Sequence, residues 1–213
     1  KKSGGFTLIE VLISVGIVAA VSSVAIVVLN PPEIFREGRD AKRLSDLKAI
    51  NGFLEIYTED VSSALPGLPN TVYVSAPDTS LIQGATSTCT NVGLPLLPPS
   101  WVYQCKSPFD YLKVDGTGWL PVNLTRIAAG APFSALPIDP ANAPSRALYY
   151  AYVADSKLSG EWALAALLES EKYLKQAAIK DNGNDHARFE TGPDLLLWSK
   201  AIGLIGYWKL DEG

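Results

Sequence analysis

The sequence predicts an α+β fold, one long N-terminal helix followed by a small head of short strands and loops. Three observations predict it. Residues 6–29 form a 24-residue apolar run with a single charge, Glu10. Residues 41–57 then place apolar side chains at steps of three and four, the repeat of one helix face. From Ser62 onward the texture changes to Pro, Gly, Ser and Thr around short apolar and aromatic runs, the pattern of strands separated by turns.

The totals narrow the function classes. A chain of 213 residues is long enough to bury a core as one domain with appendages. Its net charge of −4 lacks the basic footprint of a nucleic-acid binder. An apolar content of 47% reads as globular rather than disordered. No methionine occurs, even at position 1, and the sequence stops after GLIGYWKLDEG. Both features lead us to expect a piece of a longer reading frame.

Taken in order, the run Phe6–Leu29 would span roughly 36 Å as a helix, enough to cross a bilayer. Glu10 is the anomaly, since a carboxylate at the centre of a membrane helix costs on the order of 2.5–3.5 kcal/mol. A secretory signal peptide is the rival reading, but its apolar core is shorter and no clear A-x-A site follows. Lys1 and Lys2 favour a cytoplasmic N-terminus. Arg36, Arg39, Lys42 and Arg43 on the far side leave orientation unsettled. Asn30-Pro31-Pro32 predicts a kink, because proline removes a donor and clashes with the preceding turn. Beyond it Ala41, Leu44, Leu47, Ile50, Leu54 and Tyr57 make one apolar stripe. Arg39, Asp40, Lys42, Arg43, Asp46, Lys48 and Glu55 are assigned to a solvated face, and the helix is expected to end near Glu59 or Asp60.

In the loop-rich stretch 62–142, TVYVSA (71–76), WVYQC (101–105) and DYLKV (110–114) are strand candidates. Cys89 and Cys105 enclose a Pro-rich loop. In an exported protein they would form a disulfide worth ~3 kcal/mol, and the alternative is two unpaired buried thiols. ALYYAYVA (147–154) predicts a strand, and GEWALAALLES (160–170) its hairpin partner, although the Ala and Leu content would also suit a helix. Residues 181–194 read as polar turns, and LLLWSKAIGLIGYWKL is apolar again. There is no internal repeat.

GFTLIEVLISVGIVAAV, residues 5–21, resembles the class III signal of bacterial type IV pilins and type II secretion pseudopilins. A glycine at the cleavage site is followed by phenylalanine, by glutamate four residues later and by an apolar helix. The resemblance implies a pilin fold, in which the second half of the helical spine packs on a small antiparallel sheet. It implies that residues 1–5 end a leader peptide, that prepilin peptidase cuts between Gly5 and Phe6, and that Phe6 becomes N-methylated. Residues 6–29 would be the transmembrane and assembly helix, 30–60 the amphipathic half of the spine, 61–200 the head and 201–213 a terminal strand or the start of a further domain. GLIGYWKLDEG (203–213) itself resembles the opening strand of laminin-G-like or concanavalin-like domains, with an ordinary terminal strand as the alternative.

The same resemblance assigns function. Glu10 would face the Phe6 amine of a neighbouring subunit, because a charge in a low-dielectric core is tolerable chiefly when paired. The partners would be other pilin subunits, prepilin peptidase and the inner-membrane assembly machinery. The precursor would sit in the bacterial inner membrane, and the product in a cell-surface or periplasmic filament. A pseudopilin piston, or a membrane-tethered adhesin using the same export signal, are the alternatives. DNGND (181–185) has the look of a calcium loop, as in some pseudopilin heads. It departs from the EF-hand pattern, so Asp181 and Asp185 are weak calcium candidates beside the plainer reading of an exposed turn. Arg36, Arg39, Lys42, Arg43 and Lys48 could offer phosphates a basic stripe, but interleaved acids make ordinary ion pairs the better reading, so nucleic-acid binding is not expected. No enzyme is expected either: His186 is the only histidine and no G-x-S-x-G occurs. Asp139 and Asp155 are a chance-level carboxylate pair, and Asp139, before Pro140, reads as shaping a turn.

Overall fold

A computed structural model describes residues 5–61, 66–131, 133–154 and 161–204, with 24–29 described by backbone alone. The chain begins with helix α1 (Leu8–Leu29) and, after Asn30 alone, continues as α2 (Pro31–Val61). Asn30 stands in the left-handed region, φ 42°, a conformation Asn tolerates better than most residues. Its carbonyl accepts from the amides of Glu33 and Ile34, so one residue caps the end of α1 and starts α2. Pro31 occupies the first position of α2, where a missing N–H costs nothing. Helix α2 runs one residue past Asp60.

Six strands form one sheet in the order β2-β3-β1-β4-β5-β6. They are β1 (Thr71–Val74), β2 (Thr86–Ser87), β3 (Val102–Lys106), β4 (Tyr150–Ala154), β5 (Trp162–Leu167) and β6 (Arg188–Thr191). The expected hairpin partner forms as a strand: β4 and β5 pair antiparallel from Tyr150↔Ala166 to Ala154↔Trp162. The sheet is mixed rather than antiparallel throughout. β1 and β3 run parallel, Thr71 opposite Val102, because the long 75–101 connection makes β2 and the disulfide loop before returning. DYLKV is not a strand. Its Lys113 amide returns to the Asp110 carbonyl at 2.8 Å, and the Asp110 carboxylate gathers Ser107, Gly84 and Lys113 into a run of turns. Conversely β6 emerges inside the stretch read as polar turns.

Strand alternation divides two cores. Tyr150, Tyr152, Leu164, Ala166 and Phe189 meet Leu47, Ile50, Leu54 and Tyr57 of α2. Tyr149, Ala151, Val153, Ala163 and Ala165 meet α4 (Leu196–Ala201) and the loop closed by Cys89–Cys105. Because both faces are covered, β4 is buried at all five positions. Between β5 and β6 lies α3 (Glu171–Tyr173), followed by a wider helical turn, Leu174–Ala178.

The inward stripe of α2 differs from expectation at its upper end. The buried positions run Asp40, Arg43, Leu47, Ile50, Leu54, Tyr57, whereas Ala41 is exposed and Leu44 only partly covered. Asp40, Arg43 and Asp46, assigned above to a solvated face, are buried. The stripe keeps its helical spacing, but its first two positions are ionic because they meet hydrogen-bonding loops, not the apolar sheet.

Candidate assembly and processing site

Gly5, Phe6 and Thr7 precede the first helical turn. Thr7 is extended, and its side chain accepts the Glu10 amide at 3.3 Å, capping α1. The Gly5–Phe6 bond therefore lies in non-helical, exposed chain, the form a peptidase can thread. A side chain built at Gly5 would meet nothing within 4 Å. Phe6 is 81% exposed.

Glu10 falls in the first turn of α1, where the helix dipole favours a carboxylate. Among the described residues its side chain has no ion-pair partner. The helix around it is apolar on every side, with Leu8, Ile9, Leu12, Ile13, Val15, Ile17, Val18 and Val21 all exposed. A helix apolar all round belongs inside a larger assembly or a membrane. Ser14 and Ser23 return their hydroxyls to the carbonyls of Glu10 and Ala19, so they present no unsatisfied donor. Among the residues described in full, which include 8–23 of α1, no helix is long and apolar enough to cross a membrane.

Below the Pro31-Pro32 break, α2 is fastened to the head by a buried ionic cluster centred on Arg43. Its guanidinium grips Asp139 with both prongs, at 2.6 and 2.9 Å. The remaining nitrogen reaches Asp40 at 2.7 Å and Glu169 at 2.8 Å. Asp40 also accepts the amides of Glu169 and Ser170 and the Ser170 hydroxyl. Asp139 accepts the amides of Ala141 and Asn142, so it shapes the expected turn and anchors it to α2 as well. Arg39 makes two further bonds to Glu169, and these, with Arg43, hold the Glu169 carboxyl at about 2 against the desolvation that opposes them. Burial alone would depress the Arg43 pKa, but the carboxylates of Asp139, Glu169 and Asp40 outweigh it and raise it. Sequence reasoning missed this cluster. The available signal was that Asp40 and Arg43 continue the Leu47–Tyr57 register.

The other basic candidates on α2 are also committed. Arg36 pairs with Glu33 and Lys42 with Asp46, while the Lys48 ammonium lies 5.8 Å over the Phe189 ring. No continuous stripe of free cations is formed by these five residues.

Cys89 and Cys105 form a disulfide with their Cα atoms 5.3 Å apart. Asp181 accepts the amides of Gly183 and Glu190, and Asp185 accepts the Ala187 amide and pairs with Arg188 at 3.2 Å. Both carboxylates are thus used to shape their own loop. Among the described residues no group of three His, Cys, Asp or Glu is placed to hold a metal ion. Asp155 and residues 205–213 lie outside the described residues, and with them the proposed Asp139–Asp155 proximity and most of the laminin-G-like strand.

Residues 1–26 match the family described as the prokaryotic N-terminal methylation motif. That motif carries Gly5, Phe6 and Glu10, and its match is consistent with the class III signal of a type IV pilin or pseudopilin. It supports a pilin-like substrate of prepilin peptidase, and it fits a membrane-anchored precursor and a surface or periplasmic filament. No curated protein and no solved structure matches the chain.

Proposed function

We propose that the protein is a structural subunit of a type IV pilus-like filament. In this reading prepilin peptidase cuts after Gly5, Phe6 is N-methylated, and α1 holds the precursor in the inner membrane until it enters the filament core. The observation that carries the reading is the juxtaposition at the N-terminus: an exposed, non-helical Gly5–Phe6 bond leads directly into a helix that is apolar on all sides and carries one carboxylate. The helix Leu8–Leu29 would be about 33 Å long, comparable to the ~30 Å hydrocarbon core. After cleavage, the Phe6 ammonium of one subunit neutralises Glu10 of the next, which removes the cost of burying either charge. The protein's work is assembly rather than catalysis.

Electron microscopy and mass spectrometry of cells producing the Glu10→Val variant test this. Glu10→Val should still be cleaved and methylated and keep its head folded, yet yield no filaments. Ordinary filaments from Glu10→Val would overturn the pairing role. Intact leader on the wild-type protein would overturn the processing. Loss of secretion on deletion without surface fibres would identify a pseudopilin instead, and membrane-bound monomers a tethered module.

A further inference from the structure

The sheet is left unfinished along β3. The Val102 amide donates to the Asn70 carbonyl at 3.0 Å, so the backbone of Val102 and Gln104 faces β1, and that of Tyr103 and Cys105 faces away. Strand β2 covers Cys105 with Ser87 and ends there, and the chain turns aside at Cys89, φ 61°. Among the described residues, the Tyr103 N–H and carbonyl therefore have no ladder partner.

Beside this edge lies an open groove of about 390 Å³, whose walls include Thr88, Leu94, Leu97, Trp101, Val102 and Tyr103. No charged residue lines it. Leu94, Leu97 and Trp101 lean on the second core, whereas Leu96, on the rim, is 100% exposed. The loop that presents Leu96 is held in place. The Cys89–Cys105 disulfide closes its base, the Trp101 amide donates to the Pro98 carbonyl at 3.1 Å, and Pro95, Pro98 and Pro99 fix their own φ angles. Little conformational freedom remains to be lost when Leu96 meets a partner.

A projecting apolar side chain and an apolar recess thus share one patch. A two-fold interface sets the same patch on both sides, so a surface with both features complements itself. Because the lining is uncharged, two copies bring no like charges together there. The backbone of residues 94–97 makes no hydrogen bond among the described residues, which leaves it able to meet the open Tyr103 edge.

We propose that two copies of the chain pair through this face across a two-fold axis, Leu96 of each entering the groove of the other. The contact uses no part of α1 and stands apart from the N-terminal assembly reading. The patch is small, so the pair is weak, with a dissociation constant on the order of 1 mM, and a covalent trap suits it.

The test mixes ¹⁴N- and ¹⁵N-labelled full chains in micelles, with detergent in excess so that most micelles hold one chain. Each chain carries an aliphatic diazirine amino acid in place of Leu96, and the photocrosslinked peptides are read by mass spectrometry. Mixed-isotope crosslinks from position 96 into residues 88–103 are expected. With the diazirine moved to position 90, Leu96→Asp should lower the mixed-isotope yield about tenfold, because it sets a carboxylate against an apolar groove. Crosslinks confined to single chains, those to residues 205–213 included, would overturn the proposal. So would mixed-isotope crosslinks that fall outside residues 88–103, or a yield from position 90 that Leu96→Asp leaves unchanged. Should Leu96→Asp fail to fold, the crosslinks from position 96 still decide.

Discussion

Arg43 and Glu190 are buried charges with opposite fortunes. Arg43 is satisfied by three carboxylates, and each of those also caps backbone amides or bonds a second arginine. Removing the arginine leaves Asp40 and Asp139 buried without their counter-ion, so Arg43→Met should destabilise the head by roughly 3–5 kcal/mol in urea unfolding. Arg43→Lys should recover part of this, since an ammonium supplies charge but not the two-pronged grip on Asp139. Glu190 is 1% exposed and has one oxygen buried without a partner. Its burial, reinforced by Asp181 and Asp185, pushes its pKa up to about 7 from an ordinary 4.5. The folded state therefore holds that proton more tightly than the unfolded chain. The stability it contributes is complete below pH 4.5 and is lost as pH rises through about 7. Glu169 has the opposite sign. Lowered to about 2, it stabilises above 4.5 and loses that contribution as pH falls through about 2. The urea midpoint should accordingly decline between about pH 5 and pH 7 in the wild type and stay level there in Glu190→Gln. A level wild-type profile would remove Glu190 from the account.

At the scale of elements, the disulfide staples a loop that covers the second face of the sheet and supplies little periodic structure itself. Reducing Cys89–Cys105, a separation of 16 residues, should cost the head about 3 kcal/mol. The loss should appear first as exchange of amides around Val72, Val74 and Ala151, which that face protects. The strands that could be read from sequence are those with aromatic or β-branched runs, TVYVSA, WVYQC and ALYYAYVA. TVYVSA and ALYYAYVA lie in the middle of the sheet, where burial on both faces makes the run continuous. WVYQC lies beside the edge strand β2, is only partly buried, and is legible through its aromatic and β-branched residues. Strand β6 escaped because Arg188 and Glu190 alternate with Phe189, so an edge strand with a buried acid resembles a turn. DYLKV misled for the converse reason: Asp110 gathers side-chain and backbone donors locally, and that competes with any ladder. On α2 the stripe could be read from Leu47 to Tyr57. Above Leu47 it could not, because hydropathy does not register an arginine and an aspartate that neutralise each other. The N-terminal methylation motif was legible in the sequence, since its residues are nearly consecutive.

For the whole molecule, the decisive geometry is the break at Asn30-Pro31-Pro32. Everything before it is apolar helix exposed on all sides, and everything after it is bound to the head through Arg39, Arg43, Glu33 and Glu37. A left-handed residue followed by proline disfavours a continuous helix through this point, so α1 can take a direction that the head does not dictate. Replacing both prolines with alanine restores the missing donors and lets Asn30 enter the helical region. The head should keep its unfolding temperature, because none of its buried contacts involves Pro31 or Pro32. The distance between spin labels at Ser14 and Ser45, both exposed, should change instead. A single straight helix would separate those positions by about 46 Å. The wild-type protein in micelles should fall short of that value with a broad distribution, and the Pro31→Ala, Pro32→Ala variant should approach it with a narrow one. Identical distributions would show that the break does not set the direction of α1. If the distributions separate, the same variant asks whether assembly depends on the bend. A subunit whose α1 is fixed in the core of a filament carries its head wherever α2 points, so straightening the spine displaces the head from its neighbours. The doubly substituted protein should then be cleaved and methylated normally and still be excluded from wild-type filaments.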